Sequence, residues 1–106
     1  MKVIEIMLVC SAGMSTSILV KAMNKEIEAQ GIHAHVFAKP STEAMEYLET
    51  HEVSVILLGP HVRFFEESYR EELANKEIPI ATIAPRDYGT MDGQKVLQLA
   101  LEIIEG

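Results

Sequence analysis

Cysteine is nearly missing from this chain: one residue, Cys10, in 106. A single thiol excludes an internal disulfide framework and any cysteine-rich zinc site, and it suits a reducing compartment, so the expected location is cytoplasmic. No apolar run approaches the roughly 18 residues of a membrane span, and direct membrane insertion is not expected. Basic residues are also scarce. Nine Lys and Arg stand against 16 Asp and Glu, a formal charge of −7 with no basic cluster, which argues against binding nucleic acid. With only six Gly and four Pro, and 48% hydrophobic residues, the composition is that of a folded protein. Its length is that of one domain, residues 1–106, able to build a core without metal or disulfide.

What is there is concentrated near the start. An apolar run, Val3 to Val9, leads into Cys10-Ser11-Ala12-Gly13-Met14-Ser15-Thr16-Ser17, and a segment of helical periodicity leaves it. This is the pattern of a strand-to-helix turn. Small and hydroxylic residues around one glycine let successive backbone N–H groups converge before a helix N-terminus, where the macrodipole favours an anion. A thiol at such a position tends toward a lowered pKa and nucleophilicity. Two plainer readings compete. Met1-Lys2 followed by apolar residues and a cysteine resembles an export leader or lipoprotein box, but Glu5 interrupts the run, Lys2 is the only preceding charge, and Val9 is not small. A buried structural thiol is the commoner fate of cysteine, yet Cys10 falls where the strand stops, among hydroxyls instead of apolar partners.

The remaining pattern predicts alternating strands and helices. Val3–Val9 and Val53–Leu58 are almost continuously apolar, as expected of strands buried on both faces, with Glu5 an exception at a sheet end. Ile32–Ala38 alternates like a half-exposed edge strand, and its His33 and His35, with no third ligand nearby, read as surface histidines and not as a metal site. Ile78–Ile83 forms the last strand. Helices are predicted over Ser15–Gln30, with Ile18, Leu19, Ala22, Met23, Ile27 and Ala29 inward and Asn24 opposite, and from Ser41 as N-cap, with Ala44, Tyr47 and Leu48 buried. A charged helix to about Asn75 and a closing helix over Asp92–Ile104 complete the set, and Pro85–Gly89 is expected to be a loop. The βαβαβαβα order implies a single four-stranded parallel sheet, order 2-1-3-4, with helices on both faces, an α/β fold of flavodoxin-like type. Its switch point lies between strands one and three, so Cys10 with its loop, Gly59-Pro60-His61 and the Asp87-Tyr88 segment should share one rim.

Neither nucleotide fingerprint is present, since Gly13 stands alone with no following lysine, and no cofactor is expected. Compared with the Cys-x5-Arg loop of tyrosine phosphatases, the arginine position holds Thr16. The thiol can therefore accept and hold a phosphoryl group, solvated by backbone N–H groups and the hydroxyls of Ser11, Ser15, Thr16 and Ser17, without the cation that drives hydrolysis. A phosphatase, a redox enzyme such as an arsenate reductase (which would want a resolving cysteine) and a non-catalytic anion-binding module are the alternatives.

The loop at residues 10 to 17, Leu57-Leu58-Gly59-Pro60, and Tyr88-Gly89 with Met91-Asp92-Gly93 together resemble the enzyme IIB component of the lactose, cellobiose and chitobiose class of the bacterial sugar phosphotransferase system, along essentially the whole chain. The resemblance implies a fold like that of low-molecular-weight tyrosine phosphatases. It also implies that Cys10 is the catalytic residue, accepting a phosphoryl group from a phosphohistidine of a IIA partner and passing it to a sugar, a β-linked disaccharide, carried by the membrane component IIC. Phosphate would be bound by Ser11, Ala12, Gly13, Met14, Ser15, Thr16 and Ser17. Partners would meet Met14, Gly59, Pro60, His61 and Tyr88, with His61 standing where relatives often carry glutamine. The protein would be a monomer on its own, meeting the inner face of the membrane through IIC. Of the apolar rim candidates Met14, Val62, Phe64, Tyr88 and Met91, Phe64 is the one expected in the core, and Met14 and Tyr88 the ones expected at the surface.

Overall fold

The computed structural model describes residues 3–11 and 14–105, without the side chains of Met14 and Ser15. Ala12 and Gly13 of the expected phosphate loop lie outside the described residues, as do the Met14 and Ser15 side chains. Four parallel strands, β1 (Ile4–Cys10), β2 (Ala34–Pro40), β3 (Val55–Leu58) and β4 (Ile80–Thr82), form a sheet in the order β2-β1-β3-β4. Both the topology and the central place of the two apolar runs are those expected from the sequence. The helices are α1 (Met14–Gln30), α2 (Ser41–Thr50), α3 (Glu66–Glu72), α4 (Pro85–Gly89) and α5 (Gly93–Glu105), with 3₁₀ turns at Pro60–Phe65 and Ala74–Lys76.

The strand pleat explains the unbroken apolar runs. Ile6 and Leu8 of β1, with Val55 and Leu57 of β3, face one cluster with α1 and α5, while Met7, Val9, Ile56 and Leu58 face another with α2 and α3. Every position of a strand covered on both faces must be apolar. At the amino end of β1, where cover stops, Glu5 is half-buried: its N–H donates to Ser54 Oγ (3.0 Å), its carbonyl accepts from Ser54 N (2.8 Å), and its carboxylate faces His35 Nδ1 at 3.4 Å.

Several local readings are corrected. The inward stripe of α1 is Thr16, Leu19, Met23 and Ile27, spaced by three or four residues, so Ile18 and Ala29 fall off it and are exposed. Asn24 turns toward the sheet instead of away. Its amide donates to Val36 O (2.9 Å) and accepts from Val36 N (3.0 Å), standing in for the strand that edge strand β2 lacks on that side. Pro40, not Ser41, is the N-cap of α2, with no side-chain cap bond, and Tyr47 is only half-buried because Phe37 and His51 pack against its ring at the surface. Residues 85–89, expected as a loop, form a short helix started by Pro85 at its first position, where a fixed φ and a missing N–H cost nothing.

Two sites carry stability predictions. Gly93 opens α5 where it crosses α1: a β-carbon there would lie 2.8 Å from the Ala22 carbonyl carbon and 2.9 Å from its oxygen, both rigid backbone. Gly93→Ala is expected to destabilise by about 1–3 kcal/mol in urea unfolding, the usual cost of overpacking. The hydroxyl of Tyr69 is buried without a hydrogen-bond partner among the described residues. Burial and then the nearby Glu72 charge raise its pKa above the ordinary 10.0. The unfolded chain ionises first, so below pH 10.0 the phenol's ionisation costs the fold nothing, and as pH rises above that value stability falls. Tyr69→Phe should be neutral or stabilising at pH 7, by up to about 1 kcal/mol, and should flatten the alkaline fall in unfolding midpoint relative to wild type.

Candidate functional site

The carboxyl ends of the strands converge on the Cys10 thiol. Cys10 is the last residue of central strand β1, partly exposed, and its Sγ makes a long, weak contact with Lys39 O at 3.9 Å. β1 pairs with β2 on one side and β3 on the other, the reversal of strand order that opens a crevice in this class of sheet. Helix α1, of 17 residues, begins four positions later, and the backbone N–H groups of its first turn point out of the helix with no carbonyl partner within it. Ser11 and Ser17 are exposed there.

Thr16 behaves differently. It is 2% exposed, and its hydroxyl shares a hydrogen bond of 2.9 Å with the phenol of Tyr88. The hydroxyl expected to solvate an anion is thus engaged within the protein. On the neighbouring exit, Gly59 N donates to Val9 O (2.9 Å) and Val62 N to Gly59 O (3.0 Å), turning the chain sharply after β3 and leaving His61 exposed. The His61 ring stands edge-on to Tyr88, centroids 5.8 Å apart. These contacts bring Thr16, Gly59, His61 and Tyr88 together as the sequence reading anticipated. Arg86 lies on the exposed side of α4.

The assignment of rim and core reverses for two residues. Phe64 is 70% exposed and Tyr88 is 8% exposed, the opposite of the expected ranking; Val62 is buried and Met91 half-buried. In the 3₁₀ turn after β3 the inward position belongs to Val62, which joins the α2/α3 cluster, while Phe64 turns out against Phe65. Tyr88 is carried inward because residues 85–89 are helical and point one side at the α1/α5 cluster.

Lys39 escaped the sequence reading. It sits opposite Val9 in register at the carboxyl end of β2, and its ammonium lies 4.7 Å from the centre of the Tyr47 ring, on the α2 side. The strand order was sufficient to place it on the rim, because parallel neighbours end together. A hollow of about 460 Å³, lined by Glu5, His51, Glu52, Ser54 and Lys76, lies at the amino ends of the strands, remote from the thiol.

A flavodoxin-like sheet with its sole cysteine at the switch point, ahead of a long helix, defines the class: an α/β protein carrying a thiol loop at a helix N-terminus. Comparison with known proteins then gives the family. The family model for the PTS system, lactose/cellobiose specific IIB subunit, matches residues 5–99, and the chain belongs to that family. It is 37% identical over 98 residues to the galactose-specific EIIB component of the PTS system of Lactococcus lactis subsp. cremoris, covering 90% of this chain and 91% of that one. It is 31% identical over 100 residues to the oligo-beta-mannoside-specific EIIB component of Bacillus subtilis, covering 94% and 95%. Among solved structures, the solution structure of a cellobiose-specific IIB component from Borrelia burgdorferi matches with a TM-score of 0.78 and 40% identity, over 98% of this chain and 94% of that one. The lactose-specific IIB domain of Streptococcus pneumoniae, at 17% identity over 96% and 98% and a TM-score of 0.85, shares the fold. The protein is a IIB component of a sugar phosphotransferase system.

The exposure of Phe64 is directly testable. Phe64→Ala should leave the unfolding free energy within about 0.5 kcal/mol of wild type, whereas Val62→Ala should cost about 1–3 kcal/mol; the reverse order in denaturant titrations would return Phe64 to the core.

Proposed function

We propose that this chain acts as one IIB-type phosphocarrier domain, residues 1–106, taking a phosphoryl group from a phosphohistidine of a IIA protein onto Cys10 and delivering it to a sugar held by the membrane component IIC. The observation that carries this reading is the position of the thiol: partly exposed at the end of β1, at the switch point, before the N-terminus of α1. In the first step the Cys10 thiolate attacks phosphorus and an S–P bond forms. The N–P bond breaks, and its electron pair returns to the imidazole of the donor, which takes up a proton. In the second step a sugar hydroxyl attacks phosphorus and releases its proton to solvent, and the S–P bond breaks with its electron pair returning to sulfur to restore the thiolate.

The phosphoryl group carries roughly −1.5 to −2 charge near neutral pH. Backbone donors and the dipole of α1 oppose that charge without a guanidinium in the loop. The residue directly after the five that follow Cys10 is Thr16 and not arginine, so the group is held and not driven onto water. Galactose, cellobiose and oligo-beta-mannosides are named for relatives, and a β-linked disaccharide is the substrate proposed here. No helix among the described residues is long and apolar enough to cross a membrane. The proposed setting is the cytoplasm, with the protein a monomer on its own, needing no cofactor, and meeting the membrane through IIC.

Incubation with phosphorylated IIA should add one phosphoryl group to the wild type, located by mass spectrometry on Cys10. Cys10→Ser should fold and take up none through sulfur, and full uptake by that variant would remove Cys10 from the mechanism. Arg86→Gln should change the rate only modestly, because an exposed cation on α4 is screened by water; a collapse of transfer would show that a side-chain cation holds the phosphate.

A further inference from the structure

We propose that Tyr88 is a positioning residue for the thiol loop: its buried phenol, bonded to the Thr16 hydroxyl, holds the start of α1 against the exits of β3 and β4. The inference rests on the phosphocysteine reading for its effect on rate, and on geometry alone for its effect on structure. Thr16 is the third residue of α1, in the turn whose backbone N–H groups have no partners within the helix. Its hydroxyl meets Tyr88 OH at 2.9 Å, a contact between residues 72 positions apart. Both side chains are buried, at 2% and 8% exposure, so the bond is shielded from competing water.

Tyr88 is itself held firmly. Its N–H donates to Ala84 O (3.0 Å), its carbonyl accepts from Met91 N (3.1 Å), and Asp92 N closes onto Asp87 O (2.9 Å), so α4 and the turn behind it form a braced unit. On the way to Thr16 the ring passes the β3 exit, where a β-carbon on Gly59 would sit 3.7 Å from Tyr88 Cε1, and it meets the edge of His61. One side chain from the segment that leaves β4 thus meets residues of the two segments that leave β1 and β3. Thr16 then serves an anion through its main chain, with its hydroxyl taken up by the clamp. Tyr88, nearly buried, acts on the thiol loop through Thr16 and not by meeting a partner protein.

Reactions that depend on aligned donors are sensitive to displacement, about 100-fold for a shift near 1 Å. Tyr88→Phe removes only the hydroxyl, Thr16→Val removes its partner, and Thr16→Ser keeps the bond. With phosphorylated IIA as donor, Tyr88→Phe and Thr16→Val should each lower kcat for phosphoryl uptake by roughly 10- to 100-fold, with little change in KM for the donor. The double variant should be no slower than either single one, because both break one contact, and Thr16→Ser should retain most of the rate. Amide hydrogen exchange of the unphosphorylated protein supplies the independent arm: Tyr88→Phe should speed exchange in the first turn of α1 while the strands stay protected. Wild-type kcat in both single variants, or a raised KM at unchanged kcat, would overturn the proposal, as would unaltered exchange at the start of α1. Absence of phosphoryl uptake by the wild type would instead defeat the phosphocysteine reading, and the exchange measurement would still decide the clamp. Should Tyr88→Phe not fold, Thr16→Val breaks the same bond and decides it.

Discussion

Burial of β1 on both faces is the constraint from which the rest of this structure follows. Ile6 and Leu8 are covered by α1 and α5, Met7 and Val9 by α2 and α3, and all four are almost wholly removed from water. At roughly 1.5–3 kcal/mol for each large side chain, that burial opposes much of the entropy of ordering the strand. Because β1 must lie between β2 and β3 to be covered in this way, its carboxyl end lies at the switch point, and the residue that ends it is Cys10. The thiol is thus anchored on a strand packed on both faces.

Around that fixed thiol, three segments are joined by contacts of a different kind. The exits of β3 and β4 meet the start of α1 through Gly59, Tyr88 and Thr16, by ring packing and one buried hydroxyl pair. Charged side chains take a smaller part. Arg86 is exposed, and Lys39 on the adjoining strand has its ammonium over Tyr47. For the phosphocarrier role proposed for this chain of net charge −7, backbone dipoles would have a physical advantage: they oppose a charge in transit without clamping it as a guanidinium would.

The family comparison and the geometry support each other at different levels. Residues 5–99 match the lactose/cellobiose IIB family, which fixes the protein's place in sugar phosphotransfer. The geometry speaks to individual side chains. It separates Thr16, whose hydroxyl is engaged inside, from Ser11 and Ser17, which are exposed, although all three are hydroxylic residues of one motif.

How far the sequence alone reached follows from what kind of pattern each feature depends on. The four strands, their order, and the thiol at the switch point were legible in the apolar runs Val3–Val9 and Val53–Leu58 and in the alternation of elements, since a strand covered on both faces must be apolar throughout and parallel crossovers have one hand. The loop motif at residues 10 to 17 carried the family, because small residues, a thiol and hydroxyls at a strand-to-helix turn form a specific combination. Which of Phe64 and Tyr88 lies inside was not legible, because in short turns and five-residue helices no period accumulates, and burial depends on which neighbour arrives from elsewhere in the chain. The same holds for Asn24, which binds the edge of β2, and for Thr16, whose partner is 72 residues away. Periodicity determined the layers and the place of the thiol; only tertiary packing, which brings distant polar groups into hydrogen-bonding distance, decided which side chains hold the rim together.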